Sequence, residues 1–360
     1  IPVISVGNIT VGGSGKTPHV EYLVNLLKDR VKTAVLSRGY KRKSKGYILA
    51  DRSVTMSDIG DEPFQMARKF DNVYVAVDRD RRNGINRLTG DSETSDVDVI
   101  LLDDAFQHRY VKPGINILLV DYHRLIIYDK LLPAGRLREP MNGKARADMV
   151  IITKCPKDLK PMSFRVLSRA LNLFPYQQLY FTRLDYSDMR LLFGTKTLSL
   201  SDITSQEHVL LLTGIASPGQ MVQDIKPYCK DITPLRFADH HQFTDKDVDK
   251  INATFASMPS PSIIITTEKD ATRLENMQGL SEEVKRNLYV LPVKVKVMLD
   301  KQEKFEETIL SYVQKNSKNS TLTKEKNRKL NEQKEIRNSR KNSQKTDSND
   351  TAQKPKKIKF

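Results

Sequence analysis

The 360-residue chain has no tryptophan and only two cysteines, Cys155 and Cys229. Two cysteines make neither a disulfide framework nor a paired-cysteine zinc site, and a large protein this poor in Cys fits a reducing compartment facing the cytoplasm. No apolar run reaches the roughly 18 residues needed to cross a bilayer, and no charged-then-apolar leader opens the chain. An initiator Met is also missing. Ile1 already stands in a strand-like run, so the natural chain is expected to extend upstream into a region that could carry an anchor.

Acidic residues are in deficit, 44 Asp and Glu against 60 Lys and Arg, for a net charge of +16. The excess is local. From Gln314 to Phe360 there are 15 basic and 5 acidic residues, +10 of the total, which leaves +6 for residues 1–313. This tail of Lys, Asn, Ser and Gln cannot bury enough apolar surface to offset chain entropy and reads as a disordered extension. Its charge would suit anionic lipid; nucleic acid is not an expected partner.

With hydrophobic residues at 38% of the whole, the remainder has material for a core. Short β-branched runs at Pro2–Val6, Thr33–Ser37, Val73–Val77, Val97–Asp103, Ile115–Asp121 and Met149–Thr153 alternate with longer mixed stretches. That rhythm predicts a doubly wound α/β fold with a parallel sheet covered on both faces, which the glycine loop after the first strand makes one of the phosphate-loop NTPase type. Helices are expected at Thr17–Lys28 and Pro63–Lys69. After Asp185 the pattern restarts with a hairpin-like stretch, Tyr186–Ser201, and strand candidates Val209–Thr213, Ile263–Thr267 and Tyr289–Val293. Three regions follow: an α/β domain at 1–185, a smaller α/β domain at 186–313, and the tail at 314–360.

Directly after the first strand stands Thr10-Val11-Gly12-Gly13-Ser14-Gly15-Lys16-Thr17, one position short of the Gly-x4-Gly-Lys-Ser/Thr phosphate loop. Its backbone N–H groups and the following helix N-terminus suit phosphate, Lys16 suits the terminal phosphates, and Thr17 suits magnesium. Val99–Asp104 is an apolar strand ending in the acids Asp103 and Asp104, where magnesium sits in nucleotide-binding sheets. Either or both are candidate ligands. In Thr153-Lys154-Cys155-Pro156 a proline occupies the place of a guanine-reading Asp, which favours ATP over GTP.

Three further segments are ambiguous on residue type alone. Asp61 in Gly60-Asp61-Glu62-Pro63 is either a helix cap or a base for a hydroxyl proton. Arg138 in the proline-bounded loop Leu131–Pro140 is either a phosphate-binding guanidinium or half of a surface pair with Glu139. The adjacent His240 and His241 do not match the helical spacing of a zinc pair.

Taken together, Val6–Pro18, Ser37-Arg38-Gly39-Tyr40, Gly60–Pro63, Leu102–Arg109, Leu131–Pro140, Asp239-His240 and Thr266-Thr267-Glu268-Lys269-Asp270 resemble the tetraacyldisaccharide 4'-kinases of lipid A biosynthesis. The resemblance spans roughly residues 1–300. It implies magnesium-assisted transfer of the γ-phosphate of ATP to the 4'-hydroxyl of an acylated glucosamine disaccharide 1-phosphate, giving lipid IVA. It places the enzyme, as a peripheral or monotopic monomer, on the cytoplasmic face of a Gram-negative inner membrane through an N-terminal region absent here. It implies that Lys16 and Thr17 serve phosphates and magnesium with Asp103 and Asp104, and that Asp61 is the base with His240 as its partner. Arg138, Gln107 and His108 become active-site residues, and Tyr40 a nucleotide or substrate contact. Tyr128-Asp129 departs from the Gly-Asn pair usual in the family. A kinase with a soluble substrate and a nucleotide-dependent switch are the alternative readings.

Overall fold

The computed structural model describes residues 1–216 and 218–317. The tail expected to be disordered lies almost wholly outside the described residues.

Two sheets organise the chain. In spatial order the nine strands of the first are Val293–Val297, Gln178–Tyr186, Met149–Thr153, Ile115–Asp121, Val3–Gly7, Val99–Asp103, Thr33–Ser37, Tyr74–Val77 and Ile48–Leu49. All neighbours are parallel except the antiparallel pairs at the two edges. The central strands are apolar on both faces because both faces are covered. Val99 and Leu101 point into one core with the helix Lys16–Leu27, while Ile100 and Leu102 point into the other. Along the second sheet run Thr197–Leu198, Met189–Leu191, Leu288–Leu291, Ser262–Thr267, His208–Thr213 and Asp231–Arg236. The hairpin expected at 186–201 is its antiparallel edge.

One expected strand and one expected boundary differ from the structure. Tyr289–Val293 is two strands, because Pro292 has no N–H for the ladder and the chain leaves the second sheet there. Beyond it, Val293–Val297 returns to pair antiparallel with Gln178–Tyr186, so residues 293–316, expected in the smaller domain, belong with the first sheet. The helix Gln302–Asn316 follows, burying Phe305, Ile309 and Val313 in the core beneath Val6 and Val20. Two adjacent crossings join the sheets, tied where the Ser187 N–H donates to the Pro292 carbonyl at 3.1 Å.

The sheet order positions the chemistry. Val3–Gly7 lies between Val99–Asp103 and Ile115–Asp121, with Val6 opposite Asp103, so the phosphate loop leaves the sheet beside that acid. Gly7 is required at this exit: a Cβ there would come within 2.7 Å of Phe106 Cβ and 2.8 Å of its backbone nitrogen.

Candidate active site between the two sheets

The phosphate loop is braced from every side. Asn8 Nδ2 donates to Ser14 Oγ at 2.8 Å, Thr153 Oγ1 donates to the Ser14 carbonyl at 3.0 Å, and Lys154 Nζ donates to the Gly13 carbonyl while pairing with Asp121 at 2.7 Å. His19 Nδ1 meets the Gly15 carbonyl at 2.7 Å and its Nε2 meets Thr182 Oγ1 at 3.0 Å. A carbonyl only accepts, so Nδ1 carries the proton and Nε2 accepts from the threonine. Burial, with a smaller contribution from the Lys154 charge, lowers the His19 pKa to about 4 and keeps the ring neutral.

The loop 129–139 adds a wall. Val11 N–H donates to the Arg136 carbonyl and Arg138 N–H to the Ile9 carbonyl, both at 2.8 Å, and Thr10 bridges Leu137. Arg138 Nη1 lies 3.6 Å from Asp104 and donates to Gln107 Oε1 at 3.4 Å, while Gln107 Nε2 donates to the Asn8 carbonyl. Lys16 Nζ is 3.5 Å from Asp104. Lys16, Arg138, Gln107 and Asp104 therefore converge on the loop. Of the two readings of Arg138, the surface pair with Glu139 is not formed; Glu139 pairs with Arg109 and Arg146 instead.

Asp103 is buried beneath them. Ser37 Oγ donates to its Oδ2 at 3.3 Å, whereas Oδ1 is buried with no hydrogen-bond partner. Burial, then the neighbouring charges of Asp104 and Glu62, push its carboxyl up to about 7. A buried, half-satisfied carboxylate beside a second acid is a poor protein anion and a good cation ligand. Thr17 stands in the first turn of the adjacent helix. Among the described residues no cluster of three or more His, Cys, Asp or Glu is preformed for a metal. Two acids and a hydroxyl suit Mg²⁺, which takes its other ligands from water and phosphates. His108 stands apart, edge-on to Tyr110 at 5.7 Å and 3.8 Å from Asp80.

The second half of the site lies where the sheets meet. Asp61 opens the helix Asp61–Lys69 after Gly60, whose φ of 89° and close approach to the Tyr40 carbonyl require glycine. Its Oδ2 accepts from His240 Nδ1 at 2.9 Å and from Arg273 Nη2, both contributed by the second-sheet unit. No protein group bonds its Oδ1 among the described residues. Burial would raise the Asp61 carboxyl, but the His240 hydrogen bond and the Arg273 charge outweigh it and hold the pKa at about 2. Lys269 Nζ reaches His240 Nε2 at 3.2 Å, Asp239 at 3.0 Å and Glu62 at 3.2 Å. An ammonium only donates, so Nε2 accepts and Nδ1 gives its proton to Asp61. Tyr40 packs edge-on to His240 at 5.2 Å, which places it with this pair and not on the phosphate loop. His241 points elsewhere, to Asp247 at 2.9 Å and onto Phe237.

Arg273 carries no motif of its own in the sequence. It follows Asp270 by three residues on the short helix Glu268–Leu274, and Asp270 Oδ1 accepts from its Nη1 at 3.2 Å. The other Asp270 oxygen accepts from the Gly214 N–H at 2.8 Å. In that loop Ala216 approaches the phosphate loop: a Cβ on Gly13 would meet its Cβ at 3.6 Å. The i, i+3 spacing after a Thr267 cap is the available signal, and only its distant partner Asp61 gives it meaning. Lys154 is hidden from sequence reading in the same way, because only its distant partners, the Gly13 carbonyl and Asp121, give it meaning.

Known proteins resemble this chain closely. The family described as Tetraacyldisaccharide-1-P 4'-kinase matches residues 1–314. Over 325 residues the chain is 56% identical to a tetraacyldisaccharide 4'-kinase of Phocaeicola vulgatus, covering 90% of this chain and 89% of that one. Over 337 residues it is 49% identical to the Bacteroides thetaiotaomicron protein of the same name, covering 91% and 88%. Among solved structures, that of LpxK from Aquifex aeolicus, described as an "apo" form in complex with ATP, matches with a TM-score of 0.63 at 30% identity, covering 87% and 89%.

Proposed function

The chain belongs to the tetraacyldisaccharide 4'-kinase family, and on that premise we propose how its residues carry out the transfer. The enzyme is an ATP-dependent 4'-kinase of lipid A biosynthesis. Its acceptor is the 4'-hydroxyl of an acylated glucosamine disaccharide 1-phosphate, and its product is lipid IVA.

The observation that carries the mechanism is the position of Asp61. It belongs to the phosphate-loop half of the molecule and is held by His240 and Arg273 from the other half. The loop 10–17 cradles the ATP phosphates with backbone N–H groups, and Lys16 and Arg138 supply positive charge where negative charge builds up on the transferred group. Asp103, Asp104 and Thr17 would hold Mg²⁺, an assignment supported by the orphaned buried Asp103 Oδ1. When bound there, the ion neutralises charge shared by the β- and γ-phosphates.

Asp61 offers its unpaired Oδ1 to the substrate hydroxyl. A carboxylate held near pKa 2 is a weak base, which suffices because a loose phosphoryl-transfer transition state releases the alcohol proton late. The Nδ1–H of His240 fixes the carboxylate, and the Arg273 guanidinium balances its charge. The base is complete only when both halves are together, so closure of the two units on the substrate is part of the reaction.

The reaction belongs on the cytoplasmic face of the inner membrane, where ATP and a lipid acceptor meet, with the enzyme acting as a monomer. No helix among the described residues is long and apolar enough to cross a membrane. The test is transfer of label from γ-labelled ATP to a tetraacyldisaccharide 1-phosphate in detergent micelles with Mg²⁺. A bisphosphorylated lipid labelled at the 4' position supports the assignment, and ATP binding without lipid labelling contradicts it.

A further inference from the structure

The helix Pro161–Leu171 is poorly covered for its composition. It buries Leu167 and Leu171 against the first sheet and turns Met162, Arg165, Val166 and Arg169 outward. These four fall at i, i+3, i+4 and i+7, which is one face of a helix. Met162 is 65% exposed and Val166 is 55% exposed. Just beyond the helix, the exposed rings of Phe174 and Tyr176 stack on each other with centroids 5.5 Å apart. An apolar strip of this kind on a folded surface marks something that covers it.

The charge around the strip says what. Lys157, Lys160, Arg165 and Arg169 border it, and between residues 157 and 177 the only acid is Asp158. None of these four cations enters an ion pair among the described residues, although Lys154 and Arg183 on either side both do. Apolar side chains between unpaired Lys and Arg are the pattern of a helix lying in a lipid headgroup layer. There the aliphatic groups enter the acyl boundary while the cations meet phosphates.

The same sheet face also leads to the active site. The core under this helix is shared with Ile126 and with Leu137 of the neighbouring loop 129–139, whose tip exposes Leu131 and Leu132. Leu137 of that loop bridges Thr10 at the phosphate loop.

We propose that the outer face of helix Pro161–Leu171, continued by Phe174 and Tyr176, docks on an anionic bilayer surface and so presents the phosphate loop to a lipid acceptor. This rests on the assignment of a lipid substrate made above. The occupant is a membrane and not a protein, because the strip is rimmed by uncompensated positive charge and the substrate itself resides in a bilayer.

The absence of tryptophan supplies the probe. In Val166→Trp the single indole reports on the strip, and in Tyr110→Trp it reports on a position exposed over Arg82 of a different helix. Each variant of the full chain is mixed with vesicles of phosphatidylcholine containing roughly one-third phosphatidylglycerol, or of phosphatidylcholine alone. On the anionic vesicles the indole of the Val166→Trp protein should shift to the blue and be quenched by bromine-labelled acyl chains, while that of the Tyr110→Trp protein should do neither. The pair Arg165→Glu and Arg169→Glu, with its thermal transition checked, should lower the partition coefficient at least about tenfold. An unshifted indole in the Val166→Trp protein overturns the proposal, whether the protein stays free or co-sediments through another basic segment. So does a charge-reversed variant that binds like the original. Turnover of the unaltered protein in micelles reports separately on the kinase assignment.

Discussion

Asp61 Oδ2 and His240 Nδ1 are 2.9 Å apart, although 179 residues separate them in the chain. One belongs to the first turn of a helix on the nine-stranded sheet, the other to a loop at the edge of the six-stranded sheet. The distance between them is therefore a measure of how the two units sit together. Arg273 holds the same oxygen from the second unit and is itself held by Asp270.

Replacing Arg273 separates positioning from folding. Arg273→Lys keeps a charge but loses the fork that spans Asp61 and Asp270, and should cost about tenfold in kcat; Arg273→Gln should cost about a hundredfold, both with little change in the KM for ATP. With the guanidinium gone, burial raises the Asp61 pKa above its present value near 2, so the acidic limb of kcat moves to higher pH. A pH–rate profile checks this. A profile that drops uniformly without moving would show Arg273 to be structural only.

The two adjacent histidines should behave differently. His240→Ala removes the hydrogen bond to Asp61 and should lower kcat by about 10² or more. His241→Ala loses a contact to Asp247, which caps the helix Asp245–Ala256, and should lower the melting temperature with kcat nearly intact. Steady-state kinetics and thermal melts of both variants decide it.

His19 makes stability sensitive to acid. Its folded pKa of about 4 lies below the ordinary value of 6.5, so the unfolded chain binds the proton first. Stability is lost as pH falls from about 6.5 toward 4, by up to roughly 3 kcal/mol. In His19→Gln that part of the slope should vanish, which melting temperatures across this window would show.

Asp103 acts in the opposite direction. Its folded pKa near 7 lies above 3.8, so the native state holds the proton more tightly and stability falls as pH rises between those values. In metal-free protein, Asp103→Asn should raise the melting temperature at pH 8 by at least about 2 °C, with the gain shrinking toward pH 4. Melting curves with a chelator present test it.

Much of this is legible in the sequence because it is local. The strands Thr33–Ser37, Ile115–Asp121 and Met149–Thr153 stand where their β-branched runs predict, and the phosphate loop reads from its glycines. Tyr289–Val293 misleads because its apolar pattern is continuous, whereas Pro292 moves the chain from one sheet to the other. Residue type alone leaves Asp61 divided between cap and base, and only the resemblance to a family tips it. What stays hidden depends on long-range partners: Arg273 looks like the end of a short helix until it meets Asp61, and Lys154 looks like a failed guanine motif until it meets Gly13.

The central claim is that the Asp61 carboxylate receives the hydroxyl proton during phosphate transfer. Its most direct test compares the unaltered protein with Asp61→Asn, measuring transfer from γ-labelled ATP to tetraacyldisaccharide 1-phosphate alongside ATP affinity. The prediction is a kcat loss of about 10² to 10⁴ with the ATP Kd unchanged within about threefold. An Asp61→Asn enzyme that phosphorylates the lipid within about tenfold of the unaltered rate would contradict it.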